Sequence, residues 1–128
     1  MIERQKQEIG LVQSRFDDIE VGSDGDWIIV GRWALPPGWN KTVLKVLVLV
    51  PLGYPATPPD NFYTDLDLRI EGGAQPGNTS ATSQLGREWL QFSYHVEAGD
   101  WQPHAEVLEG HNLLTFLEGV RARLNEVS

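Results

Sequence analysis

The sequence contains no cysteine. That absence excludes a disulfide framework, thiolate-ligated zinc and a thiol nucleophile. Positive charge is scarce as well: 10 Lys and Arg stand against 18 Asp and Glu, a net charge of −8. With no basic run, the electrostatic footprint of a nucleic-acid binder is missing, and an anionic membrane is an equally poor partner. An acidic surface suits solubility or a basic protein partner. The longest apolar run, residues 46–51, is far short of the roughly 20 residues needed to cross a bilayer. The first residues, MIERQKQE, are polar and carry no apolar segment of the kind found in signal peptides. These absences predict a soluble, cytoplasmic protein without internal repeats or low-complexity tails.

What is present is ordinary for a globular chain: 128 residues, 41% apolar and 22% charged. That length predicts one domain over residues 1–128 with its own core. Residues 3–15 read as a short helix, with Ile9, Val12 and Phe16 at helical spacing. Residues 17–21 begin a strand, and Ser23-Asp24-Gly25-Asp26 reads as a hairpin turn. Residues 27–33 (WIIVGRW) and 42–50 (TVLKVLVLV) are strands, the second central in its sheet. Residues 51–59 carry too many prolines for helix or central strand. Residues 61–70 alternate apolar positions as a further strand, and 71–85 (EGGAQPGNTSATSQL) read as one long loop. Residues 88–94 are short and mixed, and 97–104 irregular. Residues 107–127 predict a closing helix with Leu108, Leu113, Leu114, Leu117, Val120 and Leu124 on its apolar stripe. The expected class is α+β: helix, antiparallel meander of three or four strands, proline-rich corner, C-terminal helix.

Two short motifs give this order a family likeness. Tyr54-Pro55-Ala56-Thr57-Pro58-Pro59, after a buried strand, resembles the Y-P-x-x-P-P corner of ubiquitin-conjugating enzymes. Trp101-Gln102-Pro103 is similar to the family's W-x-P, which lies just before a helix. The resemblance extends over nearly the whole chain and implies the ubiquitin-conjugating fold. Prolines at the corner fix an extended path with few donors to satisfy. Tyr54 is expected to pack its ring under the corner and bond through its hydroxyl.

In that family the catalytic cysteine precedes the Trp of W-x-P by eight residues, and the same count here reaches Ser93. A Cys→Ser replacement would leave the same text. The local sequence Glu88-Trp89-Leu90-Gln91-Phe92-Ser93-Tyr94-His95 resembles a bacterial branch of the family that lacks the cysteine. Members of that branch stand beside an activating enzyme, a ubiquitin-like protein and a JAB-type peptidase. The family's His-Pro-Asn motif is missing; residues 68–73 stand in its place, and Asn78 lies nearby without aligning. The resemblance implies an acyl carrier that accepts a ubiquitin-like protein as an oxyester on Ser93.

A serine hydroxyl is a weak nucleophile until a base takes its proton. His95, two residues on, shares a face with Ser93 if the segment is extended, and histidine suits general-base work near neutral pH. Asp100 and His104, which flank the W-x-P, are the candidates for orienting the site. The loop 71–85 is a candidate gate over it. The alternative is a non-catalytic variant that only binds a ubiquitin-like protein or an activating enzyme; an unrelated α+β domain is a third, weaker reading. Partner docking by resemblance falls on residues 3–15, where Arg4, Lys6 and Arg15 are the cations. No cofactor or metal is expected: His104 and His111, with Glu106 and Glu109, read as solvated side chains on a helix. Of the five tryptophans, Trp39 on its Pro-Gly turn is the one expected to be exposed.

Overall fold

A computed structural model describes residues 2–128, apart from the side chain of Ala98. Helix α1 (Glu3–Arg15) is followed by strands β1 (Ile19–Val21), β2 (Trp27–Ala34), β3 (Val43–Leu49) and β4 (Phe62–Thr64). Strands β5 (Thr79–Gln84) and β6 (Arg87–Phe92) come next, and helix α2 (Leu113–Asn125) closes the described chain. All six strands form one antiparallel sheet in the order β1-β2-β3-β4-β6-β5. The α+β class expected from the sequence is the class observed.

The sheet sorts its side chains by the two-residue period of a strand. Ile28 and Val30 of β2, Leu44, Val46 and Val48 of β3, Phe62 of β4 and Leu90 and Phe92 of β6 face the main core. Both helices cover that face, α1 with Ile9 and Val12, α2 with Leu113, Phe116, Leu117, Val120 and Leu124. Ile29, Leu47, Tyr63 and Trp89 form a smaller cluster on the opposite face.

Several elements depart from the sequence reading. The strand expected over 61–70 ends at Thr64. Asp65 turns the chain there, accepting from the Lys45 N–H and pairing with Lys41. The long loop expected over 71–85 contains β5, a full hairpin partner of β6. Its tight turn is Leu85-Gly86, both at positive φ (53° and 75°). The expected helix 107–127 starts only at Leu113, because Asn112 caps it: the Asn112 side chain accepts from the Thr115 N–H at 3.0 Å. Residues 107–109 form a single 3-10 turn, and Leu108 lies on the surface rather than on the stripe. Trp39 is buried, donating its indole N–H to the Leu124 carbonyl at 2.9 Å.

One buried carboxylate ties the layers together. Glu8 of α1 has no exposed surface. It pairs with Arg4 at 2.8 Å, receives the Tyr54 hydroxyl, and accepts the Leu113 N–H at 2.6 Å. Arg4 also donates to the carbonyls of His104 and His111. Tyr54 thus packs and bonds under the corner as the sequence predicts. Burial first, then the adjacent Glu8 carboxylate, pushes the Tyr54 phenol well above its ordinary value of 10.0.

Truncating one partner of a buried ion pair leaves the rest uncompensated, at a cost of about 3–5 kcal/mol. Glu8→Ala is therefore expected to lose about that much stability in urea unfolding, and Tyr54→Phe about 1.5–3 kcal/mol. The pH dependence follows from the sign of the Tyr54 shift. A phenol whose folded pKa is raised stabilises fully below its unfolded value and loses that contribution as pH rises past it. Stability should fall above pH 10, by up to about 1.36 kcal/mol per pH unit for each such tyrosine. Tyr63 and Tyr94, raised chiefly by burial, add to the slope. Tyr54→Phe should make the slope shallower; an unchanged slope would contradict the assignment.

Candidate functional site

The two motifs singled out in the sequence meet in space. The Trp101 indole N–H donates to the Pro55 carbonyl at 2.7 Å, and the Trp101 and Tyr54 rings lie 6.1 Å apart. Trp101 stacks on His111 at 5.4 Å on its other side. The corner and the W-x-P are thus one packed unit, joined through Tyr54 and Arg4 to the buried Glu8.

Ser93 follows the last residue of β6 and is exposed. Its N–H donates to the Asn78 carbonyl at 2.9 Å, continuing the β5–β6 ladder by one pair. Tyr94 turns inward, its ring edge-on to Phe62 (5.7 Å) and to Phe116 of α2 (5.6 Å). A Cβ on Gly119 would collide with its hydroxyl, so the bare backbone of α2 makes room for that ring. Asn61, at φ 62°, holds Tyr94 from the other side: its N–H donates to the Tyr94 carbonyl at 2.7 Å and its Oδ1 accepts the Tyr94 N–H at 3.2 Å. Asparagine tolerates that left-handed conformation better than most residues.

This clamp brings Asp60, the neighbour of Asn61, to His95. His95 Nε2 lies 3.2 Å from Ser93 Oγ, and His95 Nδ1 lies 2.5 Å from Asp60 Oδ1. A carboxylate on Nδ1 selects the tautomer with hydrogen on Nδ1 and leaves Nε2 as the acceptor facing the hydroxyl. The order is carboxylate, imidazole, hydroxyl: a base beside a nucleophile, and a third group orienting the base. The side chains of His95 and Asp60 are 59% and 66% exposed, so solvent screens their pairing and the ion pair itself adds only about 0–1 kcal/mol.

Of the four residues proposed from the sequence, Ser93 and His95 are together. Asp100 ends a short 3-10 turn and His104 lies beyond the W-x-P. His104 Nδ1 accepts the Glu106 N–H at 2.9 Å, and the Gln102 N–H donates to His111 Nδ1 at 2.8 Å. The side chain in contact with His95 Nδ1 is Asp60 rather than Asp100 or His104. No local pattern marks it, because the contact crosses 35 positions and depends on β4 pairing with β6. The expected gate of residues 71–85 holds strand β5 over six of its residues, and Asn78 fixes it beside Ser93. His104 and His111 precede α2 instead of riding on it. No group of three or more metal-ligating side chains occurs among the described residues, and no helix among them is long and apolar enough to cross a membrane.

The sequence profile of prokaryotic E2 family E matches residues 5–126. The chain belongs to that family. Searches of curated proteins and of solved structures give no match. Membership of prokaryotic E2 family E carries a conjugating-enzyme-like role, with a ubiquitin-like protein and an activating enzyme as the partners that role implies. The matched residues include both the corner and the W-x-P.

The hydrogen-bond order makes a spectroscopic prediction. With the His95 imidazole neutral, nitrogen-15 NMR of the wild-type protein should report Nδ1 protonated and Nε2 bare. Asp60→Ala should move the population toward the Nε2–H tautomer, with the amide spectrum of the sheet unchanged. Identical imidazole spectra would mean that Asp60 does not orient His95.

Proposed function

We propose that the protein carries a ubiquitin-like protein as an oxyester on Ser93, received from an activating enzyme. The observation that carries this reading is the contact of Ser93 Oγ with His95 Nε2, backed by Asp60, at the serine that the eight-residue count from Trp101 reaches. Ser93 Oγ attacks the thioester carbonyl of the activated ubiquitin-like protein, and His95 Nε2 takes the hydroxyl proton. An O–C bond forms and the C–S bond breaks. The proton passes to the departing thiolate, so the products are an oxyester on Ser93 and a free thiol on the activating enzyme. An oxyester is less reactive toward amines than a thioester, so the loaded form is a persistent carrier and onward transfer draws on a further factor. We place the reaction in the cytoplasm, in a single-domain protein, with a JAB-type peptidase in the same pathway.

A second reading has its own support. The N–H groups of Ser93 and Tyr94 are both committed, to Asn78 and Asn61, so neither is spare to stabilise an oxyanion. In that reading the protein binds a ubiquitin-like protein or an activating enzyme without chemistry.

Mass spectrometry separates the two. The protein is incubated with an activating enzyme, a ubiquitin-like protein and ATP, in parallel with Ser93→Ala. The carrier reading expects an adduct of the ubiquitin-like protein that resists thiols, is cleaved by hydroxide or hydroxylamine, and is lost in Ser93→Ala. Binding without an adduct would favour the non-catalytic reading.

A further inference from the structure

The two edges of the sheet are built differently. At one edge β1 is three residues long and carries Glu20, with Asp17 and Asp18 leading into it. Short, charged edges of this kind resist pairing with another chain. At the other edge β5 runs for six residues, Thr-Ser-Ala-Thr-Ser-Gln. Residues 72–86 contain no charged side chain at all, in a chain with 10 basic and 18 acidic residues. No proline interrupts β5, and its register with β6 is regular from Thr79↔Phe92 to Gln84↔Arg87.

Hairpin geometry fixes which backbone groups of β5 point outward. The pair flanking a two-residue turn is hydrogen-bonded, and bonded pairs then alternate along the ladder. Gln84, Thr82 and Ser80 therefore bond to β6, and the Ser93 N–H to Asn78 carbonyl bond falls on the same alternation. Thr79, Ala81 and Ser83 turn their N–H and C=O groups away from the sheet. The Thr79 carbonyl is already taken by Gln75 Nε2 at 3.0 Å. Ala81 and Ser83 thus present the open edge, and this edge leads straight to the residue paired with Ser93.

We propose that the outer edge of β5 accepts the extended, uncharged carboxyl-terminal tail of the acyl donor as a seventh, antiparallel strand that delivers its last carbonyl to Ser93. The proposal rests on the carrier reading for the identity of the donor. Direction follows from β5, which runs away from Ser93: only an antiparallel tail ends at the Thr79 end, beside Asn78 and Ser93. Two strand spacings, about 10 Å, separate such a tail from the line of β6. About three extended residues cover that distance. The tail pairs with Ala81 and Ser83, passes the Gln75-capped carbonyl of Thr79, and crosses Asn78 to the hydroxyl. Backbone pairing supplies the affinity, as in other cases of strand addition.

The test uses an eight-residue peptide with uncharged side chains, an amidated carboxyl end and a spin label at one end or the other. In amide NMR of the full chain, the peptide should shift and slow the hydrogen exchange of Ala81 and Ser83, leaving Thr82, already bonded to β6, little changed. A label at the carboxyl end should broaden Ser93; a label at the amino end should broaden Leu85 and Gly86. Ser83→Pro removes an outward N–H that the sheet does not use, so the hairpin should persist while peptide binding weakens about fivefold or more. No protection at Ala81 and Ser83 with millimolar peptide, or the reversed pattern of broadening, would overturn the proposal. Ser93→Ala should bind the peptide as the wild type does. A carrier reading that fails by absence of an adduct is therefore distinguished from an edge that fails to bind.

Discussion

The carboxylate of Glu8 is the constraint on which the arrangement of this protein depends. An ionised carboxyl group removed from water costs several kcal/mol unless it is paired and hydrogen-bonded. Here it is answered by Arg4 from its own helix, by the Tyr54 hydroxyl from the proline corner, and by the Leu113 N–H at the start of α2. The positive end of α2 adds to the pairing. Arg4 reaches on to the carbonyls of His104 and His111, either side of the 3-10 turn that precedes α2. One buried charge therefore sets α1, the corner, the segment after the W-x-P and α2 relative to one another. None of these positions can shift far without leaving a donor or acceptor unpaired in the interior.

The site inherits that order. The corner runs directly into Asp60 and Asn61, and α2 carries Phe116 and Gly119 against the Tyr94 ring. Asn78 holds the backbone of Ser93 and Asn61 that of Tyr94, and the hydroxyl and the imidazole meet outside regular secondary structure. In the proposed carrier such placement of the backbone matters, because a serine nucleophile depends on its base more than a thiolate does. Exposure of His95 and Asp60 leaves their pairing weak in the free protein. A donor covering the site would strengthen it by excluding water.

Legibility in the sequence followed burial. Strands β2 and β3 and helix α1 declared themselves because their apolar residues must face a core. The corner and the W-x-P carried the family because each has a rigid, aromatic packing role. Strand β5 was hidden: at an edge, with Ser and Thr on both faces, it has no apolar alternation to read, and Leu85-Gly86 lacks the Asn-Gly or Asp-Gly of a recognisable hairpin. The start of α2 was present in Asn112 and Thr115 but masked by the apolar Val107 and Leu108 ahead of it. Trp39 was misjudged because a tryptophan on a turn looks exposed until the end of a distant helix offers its carbonyl. Ser93 and His95 were legible as a local pair. Asp60 was not, since nothing short of the β4–β6 pairing brings it to His95.

Reaction of Ser93 with a fluorophosphonate tests the central claim most directly, because it needs no partner protein. If His95 activates Ser93, mass spectrometry should locate the adduct on Ser93, at a rate that falls about 10²-fold or more in His95→Gln. Labelling of Ser93 no faster than of exposed serines such as Ser80 and Ser83, or a rate indifferent to His95, would contradict the account.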